Sequence, residues 1–143
     1  MTSHLAKYPN DPVSTDGMLD AMQRDAFEYF VHETNLANGL VLDKTQPGAA
    51  ASIAAVGFAL ASYPVGVERV WMTRVEATQR TLTTLRFFWN SQQGTEPAAT
   101  GYKGFYYHFL DMETGRRSRN CQASTQRQTP VLRLCGTRGT IRT

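Results

Sequence analysis

Apolar residues between positions 16 and 34 recur at steps of three and four, which is the spacing of one face of a helix. The positions are Met18 or Leu19, Met22, Ala26, Phe27 and Phe30. On the polar side, Asp20 and Arg24 are one turn apart and can pair. The pattern predicts a first helix that begins near Asp16 and ends before Asn35, followed by a turn at Asn38 and Gly39.

A second helix is predicted from about Ser52 to Ser62, where Pro64 and Gly66 end the pattern. Apolar residues occupy both sides of this segment: one side carries Ile53, Val56, Gly57 and Leu60, and the other Ala54, Ala55, Phe58 and Ala59. A helix that is apolar all round is normally buried on all sides. We therefore expect this helix to have neighbours around its whole circumference.

The third helix has a sequence signal at its start. Thr73 and Glu76 form a capping box, in which the hydroxyl and the carboxylate satisfy backbone donors at a helix N-terminus. An apolar stripe with a seven-residue repeat follows, and the helix should end near Asn90. The stripe consists of Val75, Thr78, Leu82, Leu85 and Trp89, with Phe88 beside it.

A run of aromatic residues at positions 105–110 has the composition of a β-strand. Residues 111–115 then predict a turn, with Gly115 at a position suited to positive φ, and residues 116–119 can return as the second strand of a hairpin. Together, these patterns predict a mainly α protein with a β-hairpin.

Charge divides the chain of 143 residues, whose net charge is +3, into two parts. Residues 1–115 carry eight basic and all twelve acidic residues, whereas residues 116–143 carry seven arginines and no acid. We expect an extended lead at residues 1–15, a folded domain at 16–120 and an Arg-rich tail with little fixed structure at 121–143. The sequence shows no signal peptide and no membrane span, so its localisation stays unknown.

Carboxylates in loops are the first candidates for chemistry. Asp43 precedes the second helix, Glu68 follows it, and Asp111 and Glu113 lie at the hairpin turn, although spacing alone favours helix capping and surface solvation for each of them. The three histidines lack metal-ligand spacing. Residues 103–107, Lys-Gly-Phe-Tyr-Tyr, match an RNA-recognition signature only in part, and the order of elements argues against nucleic acid as the partner.

Several blocks resemble the bacterial glucoamylase-like family, which includes β-1,2-glucan-degrading glycoside hydrolases and a domain of cyclic β-1,2-glucan synthases. The resemblance covers about residues 18–120, and its most specific block runs from Gly-Tyr-Lys-Gly-Phe at 101–105 to Gly-Arg-Arg at 115–117. The other matching blocks are residues 23–30, 38–40, 51–60, 64–69 and 84–89. The resemblance implies the N-terminal part of an (α/α)6 barrel with a sugar cleft at one end, and hydrolysis of a β-glucan without metal or organic cofactor.

By the same resemblance, Asp43 and Asp111 are the first choices for the carboxylate pair that glycoside hydrolysis requires, and Glu68 is the third. Four further residues are expected to contact sugar, because aromatic faces stack on pyranose rings and polar edges bind hydroxyls. They are Tyr102, Lys103, Tyr106 and His108.

Two departures from the family pattern change the expectation for this chain. A twelve-helix barrel needs on the order of 350 residues, so this chain is expected to be a truncated, inactive fragment that cannot close a barrel. Gln122 stands where the family pattern has Glu, and Gln cannot serve as acid, base or nucleophile. We hypothesise that residues 122–143 are an out-of-frame tail. The alternative function is a noncatalytic carbohydrate-binding or interaction module that self-associates through exposed apolar faces.

Overall fold

The computed structural model describes residues 14–118 and the two-residue strand at 132–133. The described chain is mainly helical with small antiparallel sheets, which confirms the predicted fold class. Its elements are α1 (Thr15–His32), β1 (Ala51–Ser52), α2 (Ile53–Glu68), α3 (Arg74–Asn90), β2 (Gly101–Tyr102), β3 (Phe105–Tyr106), β4 (Phe109–Leu110) and β5 (Leu132–Arg133).

Helix α1 has nearly the predicted bounds. The Ser14 hydroxyl accepts a hydrogen bond from Gly17 N at 3.0 Å, which satisfies a backbone donor at the helix start. Only Phe27 is fully buried, and Met18 and Met22 of the predicted apolar face are exposed. Helix α1 therefore contacts the described core mainly through its C-terminal half.

Helix α2 is longer than predicted, because it continues past Pro64 to Glu68. Proline removes a backbone donor, but Tyr63 and Gly66 on either side of it are buried, and this packing holds the last turn in helical form. The expectation of burial on all sides is wrong for the described chain. One side of α2 packs on α1 and α3, whereas Phe58 is 65% and Val65 50% exposed on the other.

Helix α3 begins and ends as the sequence predicts, and the Thr73 hydroxyl accepts from Glu76 N at 3.2 Å. The apolar stripe does not face the core: Val75 is 76% exposed and Trp89 57%, and the buried positions are Ala77, Thr84 and Phe88. Small residues on the buried side let α3 approach the loop at Gly39, whose φ is +75° and where a Cβ atom would collide with Thr84. Close backbone approach decides which side of the helix is buried.

The aromatic run at 105–110 is not one strand, because β3 and β4 belong to different sheets. Strand β3 pairs with β2 through a two-residue turn at Lys103 and Gly104, whose φ values of +52° and +83° are typical of a type I′ turn. Sequence analysis missed this hairpin. The predicted turn at 111–115 and its return are present, with Gly115 at φ +66° and a bridge between Leu110 and Arg117.

Five short segments form an antiparallel layer that we call the end platform, defined by residues 33–35, 41–43, 50–52, 108–111 and 116–118. Bridges join Thr34 to Val41, Leu42 to Ala51, Ala51 to Leu110 and Leu110 to Arg117. Since α1 ends at His32 and α2 begins at Ile53, the end platform lies where α1 ends and α2 starts. Its apolar side is part of the core, where Val41, Ala51 and Leu110 are inaccessible to solvent.

Within the tail that was expected to have little fixed structure, β5 pairs with β3 in antiparallel register. The rest of the tail, including most of the segment assigned to the out-of-frame hypothesis, lies outside the described residues, as do residues 1–13 of the lead.

In the part of the chain that the structure describes, no helix has both the length and the apolar character needed to cross a bilayer.

Candidate functional site

Asp43 lies at the edge of the end platform, in an exposed position. Its backbone N–H donates to Ala50 O at 2.9 Å, which fixes the start of the 43–50 loop beside the strand that leads into α2. Asp111 follows Leu110, whose partner is Ala51, so Asp43 and Asp111 flank Ala50 on its two sides. Adjacent strands are about 4.8 Å apart, so their Cα atoms are roughly 10 Å apart. The fold thus brings the first two predicted carboxylates to one edge.

The Asp111 carboxylate is already used in its own turn. Its Oδ1 accepts hydrogen bonds from Glu113 N at 3.3 Å, Thr114 N at 2.8 Å and Thr114 Oγ1 at 2.7 Å. The bonds from the Thr114 backbone and hydroxyl, followed by that from Glu113, lower the pKa of Asp111 below 3.8 against a smaller opposing effect of burial. A carboxyl group with a lowered pKa is ionised near neutral pH, so it cannot donate a proton as a general acid there.

Glu68 is the last residue of α2 and is exposed. The helix has 16 residues, and at about 1.5 Å per residue its ends are about 24 Å apart. Asp43 and Asp111 lie beside the start of α2, so the structure does not bring Glu68 together with them. A separation of this size exceeds the roughly 5–10 Å that a pair of glycosidase carboxylates requires.

The four predicted sugar contacts lie in three different environments. His108 is half-buried on the end platform, where its carbonyl accepts from Ile53 N at 3.0 Å and its ring lies 4.4 Å from that of Phe109. Tyr102 and Lys103 lie at the tip of the β2–β3 hairpin, with Lys103 Nζ 5.2 Å from the centre of the tyrosine ring. Tyr106 is 5% exposed and donates its hydroxyl to Phe88 O at 2.8 Å. Its ring is part of the core.

Tyr29 and Glu33 lie near Asp43, and neither was identified as a candidate site residue from the sequence. The Tyr29 hydroxyl donates to Leu42 O at 2.7 Å, one residue before Asp43, and Leu42 N donates to Glu33 O at 3.1 Å. Burial, then the negative charges of Glu33 and Asp43, raise the pKa of Tyr29 above its usual value of 10.0. The i, i+4 spacing of Tyr29 and Glu33 was the available signal, but the approach of Asp43 depends on tertiary structure.

Two cavities of about 510 Å³ and 230 Å³ lie next to α3. None of the predicted site residues lines either of them. In residues 14–118, no group of three or more acidic, histidine or cysteine side chains is arranged to hold a metal ion.

No protein-family model matches this sequence. A search of curated proteins finds no match either. Among solved structures, the chain is similar to a candidate glucoamylase from Bacteroides uniformis ATCC 8492, with 27% identity and a TM-score of 0.62 over 73% of this chain and 24% of that one. It is also similar to an endo-β-1,2-glucanase from Chitinophaga pinensis in complex with sophorotriose and glucose, with 20% identity and a TM-score of 0.63 over 77% of this chain and 26% of that one.

The chain therefore spans about a quarter of the length of these two structures. Both neighbours are glucoamylase-like (α/α)6 barrel proteins, and the prediction that the chain has the fold of part of such a barrel is confirmed. The structural neighbours are glycoside hydrolases, and this chain has the architecture of a section of one.

Proposed function

We propose that this chain is a section of a glycoside hydrolase and that it contributes Asp43 to the binding of a glucan. The observation that carries the proposal is the similarity of about three quarters of the chain to two barrel structures, one of which is a glucanase in complex with sugar. The position of Asp43, exposed at the edge of the end platform, supports its part in the proposal.

The chain on its own binds sugar but does not hydrolyse it. Hydrolysis needs one carboxylic acid and one carboxylate on opposite sides of the scissile bond. Asp111 is held in its turn by three hydrogen bonds, and Glu68 lies at the far end of α2. Neither residue is therefore placed to donate a proton beside Asp43, so the acid comes from another part of the complete barrel.

The proposed substrate is a β-1,2-linked glucan. This linkage is supported by the sequence resemblance and by the Chitinophaga pinensis neighbour. His108 contacts the sugar on the end platform, and Tyr102 and Lys103 contact it from the hairpin tip, where an aromatic face and an ammonium group are both partly accessible. Tyr106 has no part in binding, because its ring and hydroxyl are engaged in the core.

The test is a titration of the purified chain with sophorotriose, followed by amide resonances in ¹⁵N-labelled protein. We expect saturable shifts at residues 42–44 and 108–110, no comparable shifts with the α-linked control maltotriose, and no release of reducing sugar. Asp43→Asn should weaken binding at least fivefold, and Asp25→Asn, which changes an exposed carboxylate on α1, should leave it unchanged.

Three results would contradict the proposal. Absence of saturable binding would show that the chain has no sugar site, and equal binding after Asp43→Asn would show that Asp43 does not bind the sugar. Equal shifts with maltotriose would contradict the preference for β-1,2 linkages but not the site itself.

A second candidate function is a noncatalytic interaction module. The observation in its favour is the exposure of large apolar residues on all three helices: Met22 on α1 is 60% exposed, Phe58 on α2 65% and Val75 on α3 76%. Surfaces of this kind drive association in water. In this alternative, the apolar helix faces rather than the end platform bind the partner.

A further inference from the structure

The cavity of about 510 Å³ lies between the C-terminal half of α3 and the loops that follow it. Thr83, Arg86, Phe87 and Asn90 form one wall, and their three- and four-residue spacing places them on one face of the helix. Thr114 and Arg116, from the turn after β4, lie on the other wall. The volume is in the range of small-molecule sites.

Both charged groups of this cleft are arginines. The lining contains Arg86 and Arg116 and no aspartate or glutamate among the described residues. The ion pairs of arginine found in residues 14–118 use Arg24, Arg69 and Arg80, so neither cleft arginine is neutralised by a carboxylate there. The cleft therefore has a net positive charge.

Arg80 lies on a different face of α3 and has a structural role. Its Nη1 donates to Val31 O at 3.1 Å, and its Nε and Nη2 donate to the Glu76 carboxylate. Arg86 and Arg116 are both exposed. Their guanidinium groups are thus available to a ligand, and the amides of Asn90 and Gln92 add neutral hydrogen-bonding groups to the same lining.

We propose that this cleft binds a small molecule that carries a phosphate or carboxylate group, and that Arg86 and Arg116 bind that group. A planar guanidinium presents paired donors that match the oxygens of both anions. A neutral glucan offers no charge to two arginines, so this site is separate from the sugar site at Asp43 and does not depend on it.

The experiment is a titration of the full chain, at low ionic strength, with inorganic phosphate, glucose 6-phosphate, glucuronate and neutral glucose. Amide resonances of ¹⁵N-labelled protein report the site. We expect saturable shifts at residues 86–92 and 114–116 with the anions and none with glucose. A response to glucose 6-phosphate alone assigns a phosphate ligand, and a response to glucuronate alone assigns a carboxylate ligand.

Arg86→Gln and Arg116→Gln should each weaken anion binding at least fivefold, whereas Arg116→Lys, which keeps the charge, should weaken it less. Arg74→Gln is the matched control, because Arg74 is an exposed arginine on α3 outside the cleft. Thermal melts check that each variant is folded. Absence of saturable binding, or equal weakening by Arg74→Gln, would overturn the proposal.

Discussion

Asp111 shows how a residue suited to catalysis by type is assigned another role by its immediate neighbours. Its position at a turn and the family resemblance made it a candidate catalytic carboxylate from the sequence. In the structure, Glu113 and Thr114 donate to its carboxylate, and these bonds are made within three residues of chain. The Asp-x-x-Thr spacing of such a turn is visible in the sequence, so local chemistry alone favoured the structural role.

We expect Asp111→Ala to lower the free energy of unfolding by about 1 kcal/mol at pH 7, because it removes charge-assisted hydrogen bonds at an exposed site where solvent screens them. The pKa is lower in the folded state, so the ionised carboxylate contributes stability that is fully present above pH 3.8 and is lost as the pH falls through the folded-state pKa. Urea unfolding of both proteins at pH 7 and at pH 2.5 measures this.

The difference between wild type and Asp111→Ala should shrink at the lower pH. Asp111→Asn, which keeps an acceptor oxygen without the charge, should fall between the two proteins at pH 7. A difference that stays constant with pH would show that the carboxylate charge does not stabilise the turn.

At the scale of elements, the starts of the helices were more predictable than their buried sides. Ser14 and Thr73 cap α1 and α3 through hydrogen bonds between residues three positions apart, so these caps depend on nearby sequence only. The buried side of α3 depends on Thr84 meeting Gly39, 45 residues away. In the same way, the extension of α2 past Pro64 depends on the contact of Gly66 with Phe27.

Two glycines in α2 test this contact. A Cβ atom added at Gly57 meets nothing within 4 Å, whereas one added at Gly66 would collide with the ring of Phe27. Gly57→Ala should raise the free energy of unfolding by about 0.5–1 kcal/mol through helix propensity. Gly66→Ala should lower it, because overpacking costs about 1–3 kcal/mol and exceeds that gain.

Urea denaturation of the two variants and the wild type measures both effects. Gly57→Ala is the matched control, since it makes the same substitution in the same helix. Equal stabilisation by the two substitutions would contradict the packing of Gly66 on Phe27.

At the scale of the molecule, the described chain buries one side of its three helices and exposes the others. The faces of α2 and α3 that carry Phe58 and Leu85 have no covering element among the described residues. The matching solved structures are about four times as long as the part that this chain matches. Helices of a barrel pack on neighbours at both sides. The exposed apolar faces of α2 and α3 are therefore the surfaces that other helices of such a barrel would contact.

We therefore expect the isolated chain to self-associate. The weight-average mass from sedimentation or light scattering should rise with concentration, because contact between copies removes apolar surface from water. The double variant Phe58→Gln with Leu85→Gln should reduce this rise, and Gln79→Ala, an exposed polar position of α3, should not. A mass that stays monomeric at all concentrations would contradict the expectation.

The sequence by itself determined the three helices, the turn at 111–115 and the class of fold, because caps, periodicity and turn residues act within a few positions of the chain. It also placed Asp43 and Asp111 in loops beside packed elements. Only the tertiary structure decided that both flank Ala50, that Glu68 lies at the far end of α2, and that Tyr106 belongs to the core. It also brought Arg86 and Arg116 to one cleft. These outcomes depend on contacts between residues distant in sequence, and such contacts are decided by how whole elements pack.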